Sequence, residues 1–91
     1  MRPLNEFEQL VLIAMVGKEK ATIKNLIAET KLNPSTLLRA VNSLISRGLL
    51  KEERENEFPF RRFIKPTAKG VEIGRKLMEI YGNLLSKGGG K

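Results

Sequence analysis

The stretch that decides the reading runs from Leu32 to Glu53, LNPSTLLRAVNSLISRGLLKEE. Asn33-Pro34 is a sharp start signal: Asn caps helices well, and Pro suits the first helical position, where its missing N–H is not needed. From there Leu37, Val41, Leu44 and Ile45 recur on one side, with Leu38 at the margin, until Gly48 closes the helix. The opposite side carries Ser35, Thr36, Arg39, Asn42, Ser43 and Ser46. Surface helices usually fill such a face with Glu and Lys, which favour helix. The chain is rich in charge, with 17 Lys and Arg against 10 acidic residues, yet this face is short, polar and nearly uncharged.

Working outward, Asn5 and Glu8 form a capping pair for a first helix, in which Phe7, Leu10, Val11, Ala14 and Met15 recur at helical spacing before Gly17. Lys18 to Ala21 reads as a short polar loop. Thr22 caps a second helix with Ile23, Leu26, Ile27 and Ala28 facing inward, ending near Lys31. Only a tight turn at Leu32-Asn33 separates it from the next helix, which makes a helix-turn-helix. After Gly48 the period changes. LLKEER and RRFIKPT are short charged strands around ENEFPF, with Asn56 and Pro59 favouring the turn, Leu50 and Ile64 facing the core, and Pro66 ending the second strand. Helical spacing returns from Ala68 to about Lys87. The order helix, helix-turn-helix, hairpin, helix predicts an α+β, mostly helical, winged helix-turn-helix. The expected division is residues 1–67 as the winged helix-turn-helix domain, 68–87 as a C-terminal helix, and 88–91 as a flexible glycine-rich tail.

Composition narrows the function. Ninety-one residues, 41% of them hydrophobic, suit one small core. Cysteine, histidine and aspartate are absent, which removes thiolate and Ser-His-Asp chemistry and His- or Cys-based zinc sites. No phosphate loop is present, and no apolar run approaches the length of a membrane span. The expectation is therefore no enzyme, no cofactor and no metal, in a cytoplasmic protein. The net charge of +7 suits a polyanionic partner.

On these residues a resemblance can be stated. LNPSTLLRAVNSLISRGLLKEE is similar to the recognition helix and first wing strand of MarR- and PadR-type winged-helix transcription regulators, and RRFIKPTAKG resembles the second wing strand and the start of the next helix. The resemblance covers Asn5 to Gly70. It implies a homodimer that binds double-stranded DNA sequence-specifically and regulates transcription. Carried over by position, Ser35, Thr36, Arg39, Asn42 and Ser43 face the major groove, and Arg61 and Arg62 are wing cations near the backbone. Three features depart from the family pattern: Glu52, Glu53, Glu55 and Glu57 in the wing, Phe58 and Phe60 at its tip, and almost nothing before the first helix. The last leans towards the PadR plan, with the partner helix at the C-terminal end.

A groove-reading role explains the polar face. A helix lying in the major groove needs short side chains for close approach and groups that bond base edges; Asn pairs with adenine and Arg with guanine in bidentate fashion. Residues 34–47 are thus the expected recognition helix, with Arg39 and Asn42 as the main base readers and Ser35, Thr36 and Ser43 beside them. Thr22, Lys24, Lys31, Arg61, Arg62 and Lys65 are the expected backbone contacts. The wing cations can instead pair with the wing glutamates across the hairpin. Phe58 and Phe60 are expected to pack on the protein's own core or a dimer; exposed, they would mark a protein partner or a wedge for DNA.

The last helix has two apolar rows. Val71, Gly74, Met78, Tyr81 and Leu85 form one, and Ile73, Leu77, Ile80 and Leu84 the other, so packing one on the parent domain leaves the other for a second copy. Ile73, Leu77, Ile80, Tyr81, Leu84 and Leu85 are the expected dimer residues. Gly74 fits a close helix crossing. Two other readings stay open: an architectural, chromatin-like DNA binder, and a protein-interaction module using the acidic, Phe-bearing wing.

Overall fold

The computed structural model describes the backbone of residues 2–89 and the side chains of residues 2–82. Helices α1 (Glu6–Met15), α2 (Ile23–Thr30) and α3 (Pro34–Ser46) are followed by strands β1 (Leu50–Arg54) and β2 (Arg62–Pro66) and by helix α4 (Ala68–Gly89). This is a winged helix-turn-helix, as the periodicity predicts. Each of the first three helices starts where a cap was read. Asn5 and Glu8 form a reciprocal capping box, Thr22 forms another with Asn25, and Asn33 caps α3 with Pro34 behind it. α4 runs through Gly89, so Gly88 and Gly89 of the expected tail belong to the helix.

The core is built from Val11, Leu12 and Met15 of α1, Leu26 of α2, Leu37, Val41 and Leu44 of α3, and Leu49, Leu50 and Ile64 around the hairpin. Two inward assignments are corrected. On α1 the buried row contains Leu12 and Glu8, while Phe7 and Leu10 are exposed. On α2 Ala28 is exposed, because Leu26 alone fills the centre and Ile23 and Ile27 flank it. The hairpin pairs antiparallel from Leu50 opposite Pro66 to Arg54 opposite Arg62. Ala21, read as part of a polar loop, is buried and bonded to Ile64 in both directions, at 2.9 and 2.7 Å. It joins the hairpin to the helix-turn-helix as a one-residue third strand.

Two glycines fix α4. Thr67 accepts from the Gly70 amide at 3.0 Å and donates to the Gly48 carbonyl at 2.8 Å, so it caps α4 while tying it to the end of α3. The first turn of α4 then lies on the backbone of Leu49, where a Cβ on Gly70 would overlap the Leu49 carbonyl oxygen. That close approach is the physical content of the PTAKG motif. Further along, a Cβ on Gly74 would lie 2.6 Å from the Val16 side chain and 3.2 Å from the Leu12 carbonyl oxygen. The expected close crossing is present, and the helix crossed is α1 of the same chain.

Candidate nucleic-acid interface

The second helix of the helix-turn-helix presents a free polar ridge. At 100° per residue, Ser35, Arg39, Asn42 and Ser46 fall opposite the buried row of Leu37, Val41 and Leu44. All four are exposed. Thr36 and Ser43 lie to one side of the ridge and are half-buried. The Ser35 hydroxyl donates to the capping oxygen of Asn33 at 3.1 Å, which leaves its lone pairs outward. Among the described residues Lys24, Lys31 and Arg39 make no ion pair. Thr22 accepts from the Asn25 amide at 3.0 Å, so its hydroxyl works chiefly as a cap. Lys31 closes α2 in a left-handed conformation, φ 62°, a position that usually falls to glycine.

Ser43 has a different neighbourhood from the one its spacing implies. Its hydroxyl donates to the carboxylate of Glu8, which is fully buried, and accepts from Arg2 at 3.2 Å. Arg2 in turn grips Glu8 with two parallel bonds of 3.0 and 2.9 Å, and the Asn5 amide donates to the same carboxylate at 2.8 Å. The Arg2 guanidinium holds the Glu8 carboxyl down to about 2; the Ser43 and Asn5 bonds pull the same way, and burial opposes them. Arg47, one turn beyond Ser43, donates to the Arg2 carbonyl at 2.9 Å. A notch of about 290 Å³ lies between α1 and α3, lined by Arg2, Phe7, Glu8, Thr36, Arg39 and Ser43 among others. Sequence reading found Glu8 as a cap, but Arg2 carried no local signal.

The wing cations are engaged. Arg62 contacts Glu52 at 2.9 Å, Lys65 contacts Glu53 at 3.1 Å, and Arg61 contacts Glu55 at 3.2 Å. Arg61 holds the Glu55 carboxyl below its ordinary value. Three of the four glutamates that depart from the family pattern, Glu52, Glu53 and Glu55, thus balance the wing's own cations. Lys20 sits 4.3 Å from the centre of the Phe63 ring, on the third-strand side of the hairpin. Phe58 and Phe60 do not pack on the core: they are 86% and 51% exposed, edge to face with ring centres 6.3 Å apart.

On α4, Ile73 and Leu77 pack against the chain's own core. Met78, Ile80 and Tyr81 are exposed, and exposed Leu10 of α1 lies beside Tyr81. Leu10, Ile13 and Tyr81 line a shallow cavity of about 340 Å³, and the Tyr81 hydroxyl donates to Gln9 at 2.7 Å. The side chains of Leu84 and Leu85 lie outside the described residues. No helix among the described residues is long and apolar enough to cross a membrane.

Comparison with known structures places this arrangement. A variant of the regulator ZitR from Lactococcus lactis superposes with a TM-score of 0.81 at 19% identity, covering 92% of this chain and 63% of that one. A MarR family regulator from Neisseria meningitidis gives 0.76 at 20% identity, over 92% and 59% of the two chains. The fold is that of the MarR-type winged helix. A transcriptional regulator homologue from Pyrococcus horikoshii shares it at 0.74 and 18% identity, over 91% of this chain and 83% of that one. No family model matches the sequence. By sequence, the chain is 38% identical over 84 residues to part of the phenylalanine–tRNA ligase alpha subunit of P. horikoshii. That match takes in 89% of this chain and spans only 16% of the ligase subunit.

Proposed function

We propose that the protein binds double-stranded DNA as a MarR-type transcription regulator, with α3 in the major groove. The observation that carries this reading is the exposed ridge of Ser35, Arg39, Asn42 and Ser46 on the second helix of the helix-turn-helix, short enough to let the backbone approach base edges. Arg39 and Asn42 read bases, with Ser35 and Ser46 beside them. Thr36 on the flank and Lys24 and Lys31 on the supporting helix meet phosphates. Arg61, Arg62 and Lys65 contribute less than their charge implies, because each already has a glutamate. In this reading a second copy covers Met78, Ile80, Tyr81 and Leu10, which pairs the two recognition helices about a two-fold axis. The place of action is the nucleoid, and no catalytic chemistry is involved.

The test is fluorescence anisotropy with a labelled random duplex across a salt series, followed by selection of a preferred site. Steep weakening with salt supports phosphate engagement. Arg39→Ala with Asn42→Ala should then cost about 1–3 kcal/mol per lost base contact on the selected site and little on random duplex. A ratio of selected to random affinity near unity in the wild type points instead to an architectural binder. A second reading rests on the 38% identity to a segment of a tRNA ligase subunit: the same ridge meets structured RNA. A parallel titration with tRNA separates the two, and tighter binding to tRNA than to any selected DNA duplex would displace the regulator reading.

A further inference from the structure

The ridge accounts for the polar residues of α3 but leaves a buried charge unexplained. Glu8 has a side chain only 1% exposed, and its partner Arg2 has one that is 55% exposed. Burying a carboxylate costs desolvation that a half-exposed partner only partly offsets, and an apolar residue of similar volume is often as stabilising. What this pair accomplishes is geometric. Arg2 bonds Glu8 through both terminal nitrogens and also donates to the Pro3 carbonyl and the Ser43 hydroxyl, each at 3.2 Å. Four of its five N–H groups are therefore engaged within the chain, which leaves little with which to grip a phosphate. Ser43 bonds to Glu8 and Arg2 together, and the Arg2 carbonyl takes Arg47 one turn later. The N-terminal arm thus holds the second half of α3 at two successive turns on one flank. That flank is adjacent to Arg39 and Asn42 on the exposed ridge.

We propose that Arg2, Glu8 and Ser43 form a latch that sets the rotation of α3 about its own axis, making Arg2 and Ser43 positioning residues for base reading. The proposal rests on the reading of α3 as a recognition helix. A helix held only by apolar contacts can roll by a fraction of a residue at small cost, because dispersion contacts are non-directional. A fork of directed hydrogen bonds cannot. Rolling α3 would move Arg39 and Asn42 off the base edges while leaving cations on the supporting helix in place. The latch therefore governs specificity, and general affinity does not depend on it.

The experiment compares wild type, Ser43→Ala, the charge-balanced pair Arg2→Gln with Glu8→Gln, and all three changes together. Each is titrated against the duplex that the wild type selects from a random pool and against random duplex. Circular dichroism and urea unfolding establish that each variant is folded. Ser43→Ala and the charge-balanced pair should each lower the ratio of selected to random affinity by about tenfold, part of one bidentate base contact. Combining them should lower it no further, because both cut one network. The salt slope on random duplex should stay as in the wild type. An unchanged ratio in folded variants overturns the latch, and so do additive losses, which would make Ser43 a direct base contact. A slope flattened by about 0.9 overturns it too, since Arg2 would then be a phosphate contact. Failure of the wild type to bind any duplex is a separate result that removes the regulator reading instead.

Discussion

Glu8 offers a prediction that can be worked out from its surroundings. Its carboxyl is held at about 2 against an ordinary value of 4.5, chiefly by Arg2. A depressed carboxylate contributes stability that is present above its unfolded value and lost as pH falls through the folded one. The window is therefore pH 4.5 down to about 2. The shift corresponds to at most about 3 kcal/mol at neutral pH, reduced by the solvent that screens the half-exposed Arg2. Glu8→Gln keeps the shape and hydrogen-bonding capacity near those of the protonated acid. At neutral pH it should be less stable than the wild type by up to about 3 kcal/mol, and the two should converge as acid protonates Glu8. Urea unfolding of both proteins at several pH values measures the gap directly. Other carboxylates, Glu55 included, titrate in both proteins and cancel in the difference. A gap of the same size at neutral pH and near pH 2.5 would refute the assignment of the stability to the charged pair.

Three other outcomes follow from packing and backbone. Gly70→Ala should destabilise the protein by about 3 kcal/mol or more, because the new methyl meets the Leu49 backbone, which cannot retreat without moving the hairpin; thermal unfolding checks this. Lys31→Gly should stabilise by about 0.5–1 kcal/mol by relieving the left-handed cap, yet flatten the salt slope of duplex binding by about 0.9 if Lys31 meets a phosphate. Stabilisation without any change in slope would remove Lys31 from the interface. Arg62→Ala should change that slope less than Lys24→Ala does, because Arg62 already faces Glu52 at 2.9 Å while Lys24 makes no ion pair among the described residues; the same salt titrations decide it.

The sequence by itself determined the elements and their order. Its signals are local: Asn5, Thr22 and Asn33 each cap a helix through a bond three residues on, and Gly17 and Gly48 end runs with positive φ. The apolar period of three and four along α3 likewise fixed which face is buried and which is the ridge. Leu50 and Ile64 were readable because alternation in a strand depends on neighbours two residues away.

Tertiary structure decided everything that depends on a partner far along the chain. Ser43 has a position compatible with the groove, and only its hydroxyl bond to Glu8, 35 residues away, turns it inward. Arg2 reaches Glu8 six residues on, but only the packing of α1 on α3 brings Ser43 and Arg47 to it. The wing's glutamates precede most of its cations in the chain, and only the hairpin brings Glu52 to Arg62, Glu53 to Lys65 and Glu55 to Arg61, the first two as diagonal neighbours across the strands. Ala21 became a strand residue because Ile64 offered it a backbone partner. Capping, turns and amphipathic period are encoded within a few residues, whereas the destination of a polar side chain is set by which segments share a surface.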